Sequence, residues 1–366
     1  MKYLKKFETE ADKNAWLAGS EFVTPNVVLT EGKVGYNLEI DHSLLPLHIQ
    51  AIGNLTITFS NNYEYSKDNT TWSSGTSSTS ISASAGEKVY FRASGLTPST
   101  SSGIGKFTIS GGTCNVAGNV MSMAYGADFS DKTNIPNEYQ FRTLFLNANI
   151  IDASKMVLPA TTLAGSCYDS MFKGCTKLVN APELPATKIE RSCYNSMFYN
   201  CMNLVIAPAL PATTLMDYCY NSMFYNCAKL VNAPELPATS LMDYCYNSMF
   251  RGCAKLVNAP ELPATSLGRY CYDSMFYGCT SLVNAPALPA TSLTGKGFCY
   301  QSMFYGCTKL NYIKAMFTTT PSDSFTKNWV YGVSSIGTFV KNSAATWDVT
   351  GVNGIPEGWT VETATE

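Results

Sequence analysis

The sequence predicts an α+β repeat solenoid, with one short helix and one short parallel strand in each 26-residue copy, preceded by a small antiparallel β-sandwich. Three observations predict it: two cysteine series advance in one fixed step, a proline-bearing phrase closes every copy but the last, and strands of period two lie upstream.

A fixed period decides the whole fold. Cys167, Cys193, Cys219, Cys245 and Cys271 are 26 residues apart, and Cys175, Cys201, Cys227, Cys253 and Cys279 keep the same step. The sixth copy opens late, at Cys299 and Cys307, because residues 294–298 carry a two-residue insertion of the kind a connecting loop tolerates. Each copy reads roughly C-Y-x-S-M-F-x-x-C-x-x-L-V-x-A-P-x-L-P-A-T-x-L, as from Cys219 to Leu241. A degenerate copy precedes them, with Phe141, Leu144, Phe145 and Ala148 at the Tyr, Met, Phe and second Cys positions, as suits a terminal cap. Within a copy, Tyr168, Met171, Phe172 and Cys175 fall at i, i+3, i+4 and i+7, which predicts one face of a short helix. Pro182 and Pro185 bar its continuation, so a short strand follows. So small a unit cannot bury its own apolar face, and copies must stack with strands about 4.8 Å apart.

Five segments result. Residues 1–42 form a leader, with a short helix over Glu8 to Ala18, that anchors or oligomerises the chain. Residues 43–126 hold the sandwich: Leu55 to Phe59, Lys88 to Arg92 and Lys106 to Ser110 alternate apolar and polar residues between Gly, Ser and Asn clusters. Residues 127–163 are a linker and the degenerate copy, 164–317 the repeats, and 318–366 a β-rich C-terminal cap.

Composition narrows the function. Charged residues make up 14%, against roughly 25% in ordinary soluble domains. Solubility therefore rests on Ser, Thr, Asn and Tyr, as on extracellular or virion surfaces. A formal charge of −2, with no basic cluster beyond Lys2, Lys5 and Lys6, excludes a nucleic-acid partner. No window is long and apolar enough for a membrane span, and the basic start runs into polar residues instead of the apolar core of a secretion signal.

The phrase M-F-x-x-C-x-x-L-V-x-A-P-x-L-P, complete in five copies and kept as Met303-Phe304, Cys307 and Leu310 in the sixth, between Tyr139 and about Tyr312, resembles the BspA-type leucine-rich repeats of Bacteroidales. Met-Phe stands for their Ala-Phe, and Ala-Pro-x-Leu-Pro for their Ile-x-Ile-Pro. The resemblance implies a leucine-rich-repeat-like fold and a surface adhesion protein with no catalytic residues. The leader Met1-Lys-Tyr-Leu-Lys-Lys-Phe-Glu-Thr, with Thr24-Pro-Asn-Val-Val, is similar to the start of structural proteins of Bacteroidales phages. That implies a virion-associated protein which folds in the cytoplasm and leaves by lysis.

The two histidines, His42 and His48, lie outside the repeats, where no rigid scaffold offers them a nucleophile, so no enzyme is expected. Glu183, Glu235 and Glu261 share a column that Ala209 and Ala287 interrupt, leaving no carboxylate row for calcium or a glycosidase pair. The cysteine spacing within a copy is not that of a zinc site, so neither metal nor cofactor is expected. The twelve repeat cysteines are expected as two ladders of buried free thiols. Asn180, Asn232, Asn258 and Asn284, interrupted by Ile206, are expected to tie neighbouring strands through their amides.

Binding is expected from two outward columns. The first, directly after Phe, is Lys173, Tyr199, Tyr225, Arg251, Tyr277 and Tyr305, with Asn200 and Asn226 beside it; the second is Tyr218, Tyr244, Tyr270 and Phe298. Tyrosine offers rigid, amphipathic contact area of the sort used by binding surfaces and sugar platforms. The bland alternative is that duplication copied a Tyr that merely covers its neighbour. The expected partner is a host-cell surface glycan, capsular polysaccharide foremost, or a surface protein, with other virion proteins docking through the leader. Trp16, Leu17, Phe22 and Val23 in the leader leave room for a homo-oligomer. The expected location is the virion surface; the alternatives are a bacterial cell-surface adhesin that binds host glycoprotein or matrix, or a purely structural virion component.

Overall fold

The computed structural model describes residues 4–5, 23–30, 33–94, 103–135, 137–293, 297–321 and 323–365, with side chains from Ile40 onward, Asp323 apart. The leader helix expected over residues 8–18, and Trp16, Leu17 and Phe22, lie outside the described residues. Val23–Thr30 and Lys33–Ile40 form an antiparallel hairpin in which Val27 faces Tyr36, with Leu4–Lys5 on the far edge of its second strand.

Two sheets follow. Phe107–Gly111, Leu55–Phe59 and Ile81–Ala83 form one; in the other, Cys114–Asn119, His48–Ala51, Lys88–Arg92, Tyr63–Ser66 and Ser73–Gly75 are antiparallel neighbours. The period of two holds: Leu55, Ile57 and Phe59 are buried while Thr56 and Thr58 are half-exposed. Their inner faces meet in an aromatic cluster, Phe107 lying 4.5 Å from Phe59 and 4.8 Å from Phe91 between ring centroids.

The core does not stop at residue 126. Ile150–Val157, from the segment read as linker and cap, pairs in parallel with Cys114–Asn119 and, through Asp152, with Asn180 of the first full copy. Phe107 stacks on Phe145 at 5.3 Å and Phe145 on Phe172 at 5.5 Å, so one ring column runs from the two-sheet region into the repeats. The sheet edge, otherwise a row of open amides, is covered by the repeats themselves.

The expected helix in each copy is absent. Among the described residues α-helix is confined to Ser122–Tyr125 and Asp323–Thr326. In its place stands a chain of tight turns in which nearly every second residue is left-handed: Tyr218, Tyr220, Ser222 and Asn226 have φ of 62°, 59°, 53° and 58°. Odd-numbered amides close on the carbonyl three residues back, as Met223 on Tyr220 at 3.2 Å and Tyr225 on Ser222 at 3.2 Å. Side chains therefore still group by threes and fours, and Tyr220, Met223, Phe224 and Cys227 are all buried, as a helix would have buried them.

Even-numbered amides explain why the helix loses. Ser222, Phe224 and Asn226 donate to Asn247, Met249 and Arg251 of the next copy at 2.8, 2.9 and 2.6 Å. A helix would use those donors internally and leave this row of the copy with no bond to its neighbour. Left-handed backbone costs about 1–2 kcal/mol for each such residue. The hydrogen bonds between copies and the stacked rings offset it: Phe172, Phe198, Phe224, Phe250, Phe276 and Phe304 follow one another at 5.7–5.8 Å.

Strand content is correspondingly slight. Most copies contribute single parallel bridges, Ile206 to Asn232 and Asn232 to Asn258 in one row and Ser240 to Ser266 in another. Thr162–Leu163 and Lys188–Ile189 pair as two-residue strands, and longer strands return in the C-terminal segment, where Tyr312–Ala315, Thr338–Lys341 and Thr360–Thr363 pair in parallel. That segment also holds an unrecognised copy. Ser302, Phe304 and Gly306 donate to Lys327, Trp329 and Tyr331, and Asn328 takes the left-handed place of Ser302. Trp329 and Val330 thus replace Met303 and Phe304. Both are buried, and the Trp329 indole donates to the Gly354 carbonyl at 2.8 Å.

Candidate binding face

The turn ribbon alternates its side chains between the core and an outer face. From Tyr218 to Cys227, residues 219, 220, 223, 224 and 227 point inward, leaving Tyr218, Asn221, Ser222, Tyr225 and Asn226 outside and half-buried. Because copies stack in register, each outward position becomes a continuous column.

The first column is unbroken. Tyr199 and Tyr225 stack at 4.4 Å with planes 10° apart, and Tyr277 and Tyr305 at 4.5 Å and 1°. Tyr331 of the unrecognised copy extends it, 4.6 Å beyond Tyr305. The two non-aromatic members preserve the stacking: Lys173 Nζ lies 4.7 Å over the Tyr199 ring, and the Arg251 guanidinium sits 5.7 Å from Tyr225 and 4.1 Å from Tyr277. Beside it, the Asn226 amide donates to Asn200 Oδ1 at 2.9 Å. Partial burial, then the neighbouring Tyr225 hydroxyl, pushes the Tyr199 phenol pKa up.

The second column is formed the same way: Tyr218, Tyr244, Tyr270 and Phe298 follow at 4.5, 4.8 and 4.9 Å, with the Arg191 guanidinium 5.5 Å from the Tyr218 ring. Between the columns along the ribbon run Asp169, Asn195, Asn221, Asn247 and Asp273. Asn195 donates to Asp169 at 3.2 Å, and Arg142 holds the same carboxylate at 3.0 Å. Burial raises the pKa of both Asp169 and Asp273.

Stacking decides what this face can offer. A ring covered on both sides by neighbours at about 4.5 Å presents only its edge and its hydroxyl, so the sugar-platform use of ring faces expected of these tyrosines is closed inside each column. What remains is an array of phenol hydroxyls, amides and the cations Lys173, Arg191 and Arg251 in fixed register.

The BspA type Leucine rich repeat region, in six copies, matches residues 148–283 and 220–337, together more than half of the chain. The chain belongs to the BspA-type leucine-rich-repeat family. Membership supports a surface-adhesion or protein-binding kind of function. No curated protein and no solved structure matches the chain.

Within these BspA-type repeats the cysteines form two buried ladders of free thiols. Cys193, Cys219 and Cys245 donate to Ala164, Glu190 and Met216 carbonyls of the preceding copy, and Cys201, Cys227, Cys253, Cys279 and Cys307 to the preceding Phe carbonyls, at 3.0–3.2 Å. They are thus small apolar residues and hydrogen-bond donors at once, a second role that spacing alone does not reveal. Burial pushes the thiols of Cys167, Cys219 and Cys253 up to about 12.

The asparagine column is only partly a ladder. Asn258 donates to Asn232 at 2.9 Å, but Asn180 turns to Asp152 at 2.7 Å, and Ile206 stands 73% exposed in the gap. Beside that gap lies a cleft of 600 Å³ lined by Asn180, Pro182, Leu184, Ile206 and Pro208, and a sister cleft of 510 Å³ opens at Pro234 and Pro260. His42 and His48 stack at 5.9 Å at the junction of the two-sheet region with the BspA-type repeats. Among the described residues no group of three His, Cys, Asp or Glu is placed to hold a metal ion, and no helix is long and apolar enough to cross a membrane.

Proposed function

We propose that this chain is a non-catalytic recognition protein whose repeats wind as one solenoid and bind the surface of a Bacteroidales host cell, capsular polysaccharide foremost, from a phage particle. The carrying observation is the outer face, where one column runs from Lys173 to Tyr331, its adjacent tyrosine rings 4.4–4.6 Å apart and Arg251 seated between Tyr225 and Tyr277. Family membership supports adhesion, and the leader's likeness to phage structural proteins supports the virion as carrier. Other virion proteins would dock at the leader. Stacking makes the face rigid before any ligand arrives, so little ordering is left to oppose binding.

Labelled full-length protein should bind capsulated Bacteroides cells, and Tyr225→Ala with Tyr277→Ala should abolish most of that binding. Undiminished binding by the double variant would sink the reading. A second reading, a bacterial surface adhesin, is favoured by the family alone. Mass spectrometry separates the two: peptides of this chain in purified phage particles support the virion, and peptides in outer-membrane fractions alone overturn it in favour of the adhesin.

A further inference from the structure

Given that the outer face is the binding face, as proposed, we infer that its ligand is an acidic linear polysaccharide, selected by Lys173 and Arg251. These residues occupy one column three copies apart, with Tyr199 and Tyr225 between them. Three coil steps of about 4.8 Å put the two charges roughly 14 Å apart.

Both cations are held in place and, among the described residues, neither makes an ion pair. Lys173 lies over Tyr199, and Arg251 is clasped between Tyr225 and Tyr277. Among the described residues neither has a carboxylate within ion-pair distance; Asp273 feels Arg251 but is bonded to Ser274 and Asn247 instead. Charges pre-positioned on ring faces have little side-chain freedom left to lose when an anion arrives.

The second column differs in this respect. Arg191 and Arg269 are also three copies apart, but Asp217 and Asp243 occupy the same position in the two copies between them. Asp243 Oδ1 accepts the Arg269 amide at 2.7 Å. That row is neutral overall, so the positive potential belongs to the first column.

The rest of the face favours a glycan over an acidic protein. It presents phenol hydroxyls and the Asn200 and Asn226 amides, partners for sugar hydroxyls. A folded protein partner would seek a deep anchoring pocket, and the larger clefts of the stack lie away from the Tyr columns, two along the proline row and one between Thr187 and Met216. The polymer therefore lies along the stack axis, its carboxylates meeting Lys173 and Arg251 while its hydroxyls meet the phenols between them.

The test uses full-length protein and three probes: polygalacturonate, neutral dextran and poly-glutamate. Binding is measured by titration calorimetry at low and high salt. The informative variants are Lys173→Tyr and Arg251→Tyr, because neighbouring copies carry Tyr at that position and the stacking survives. The expected result is preference for polygalacturonate, weakening with salt, and a loss of at least about tenfold, 1.4 kcal/mol, in the double variant at unchanged thermal midpoint. Equal binding by the double variant, no preference over dextran, or no binding to polygalacturonate overturns the inference. Poly-glutamate binding as tightly as polygalacturonate overturns the polysaccharide assignment. Each of these results leaves the cell-binding reading standing, because that reading falls only if Tyr225→Ala with Tyr277→Ala still binds cells.

Discussion

The thiol of Cys227 donates to the carbonyl oxygen of Phe198 at 3.2 Å, and the same oxygen accepts the amide of Cys201 at 3.0 Å. The thiol is thus the second bond to an acceptor already satisfied once. Losing it costs the modest value of one hydrogen bond, with no orphaned carbonyl left behind. Cys227→Ala should destabilise the protein by about 1–2 kcal/mol, part bond and part cavity. Cys227→Val, which copies the half-buried Val333 at the same place in the last coil, should cost less. Urea unfolding of the two variants gives the comparison.

Buried, pKa-raised thiols are poor nucleophiles. Native protein at pH 8 with excess iodoacetamide should leave the repeat cysteines unmodified, while urea-unfolded protein is alkylated throughout. Intact-mass analysis reads the number of adducts, and rapid labelling of Cys201 or Cys227 in the native state would contradict their burial.

Position 226 tests the left-handed ribbon. Gly174, Asn200, Asn226, Gly252, Gly278, Gly306 and Gly332 share one place in successive copies, with φ from 58° to 77°. Glycine and asparagine are the residues that take this conformation most readily. Asn226→Gly should cost only the bond to Asn200, whereas Asn226→Ala should cost roughly 1–2 kcal/mol more through backbone strain. Thermal unfolding of the pair distinguishes the two.

His48 predicts how stability follows pH. It is 1% exposed, and burial pulls its pKa down to about 4 from 6.5, opposed only in part by the Pro46 carbonyl on its ring. Between those values the unfolded chain binds a proton that the folded chain refuses, so stability is full above pH 6.5 and falls as pH drops towards 4. The loss is at most on the order of 3 kcal/mol. Urea midpoints at pH 7.5 and pH 5 should differ, and His48→Gln should shrink the difference.

That shared Gly or Asn place was legible in the sequence and was the sign that the helix would fail. A helix does not carry Gly or Asn at one fixed interior position in every copy, whereas a left-handed turn requires them. Apolar periodicity could not supply that sign, because a ribbon of turns closed every three residues buries the same Tyr, Met, Phe and Cys as a helix does. The outward Tyr columns were legible for the same reason, being the complement of the buried set. Tyr331 was not, since Trp329, Val330 and Val333 erase the Met-Phe and Cys that mark a copy and only the Tyr-Gly pair survives. Nor was the loss of the ring faces, which depends on each Tyr stacking on its neighbour, a relation between copies that one copy's spacing cannot express.

The bonds between copies in the turn ribbon mostly run one way, amides of one copy to carbonyls of the next. The stack is therefore polar, like a filament with unlike ends. Its first coil would bare acceptors and its last coil donors, so one kind of lid cannot close both. The two-sheet region closes the acceptor end by running Phe107 into the ring column; at the donor end Asn353 takes the Asn328 amide on its side-chain oxygen at 2.7 Å. A coil inserted or removed in the middle would meet matching surfaces on either side, whereas the termini cannot be exchanged. The length of such a protein is thus free to vary by whole coils while its two ends are not.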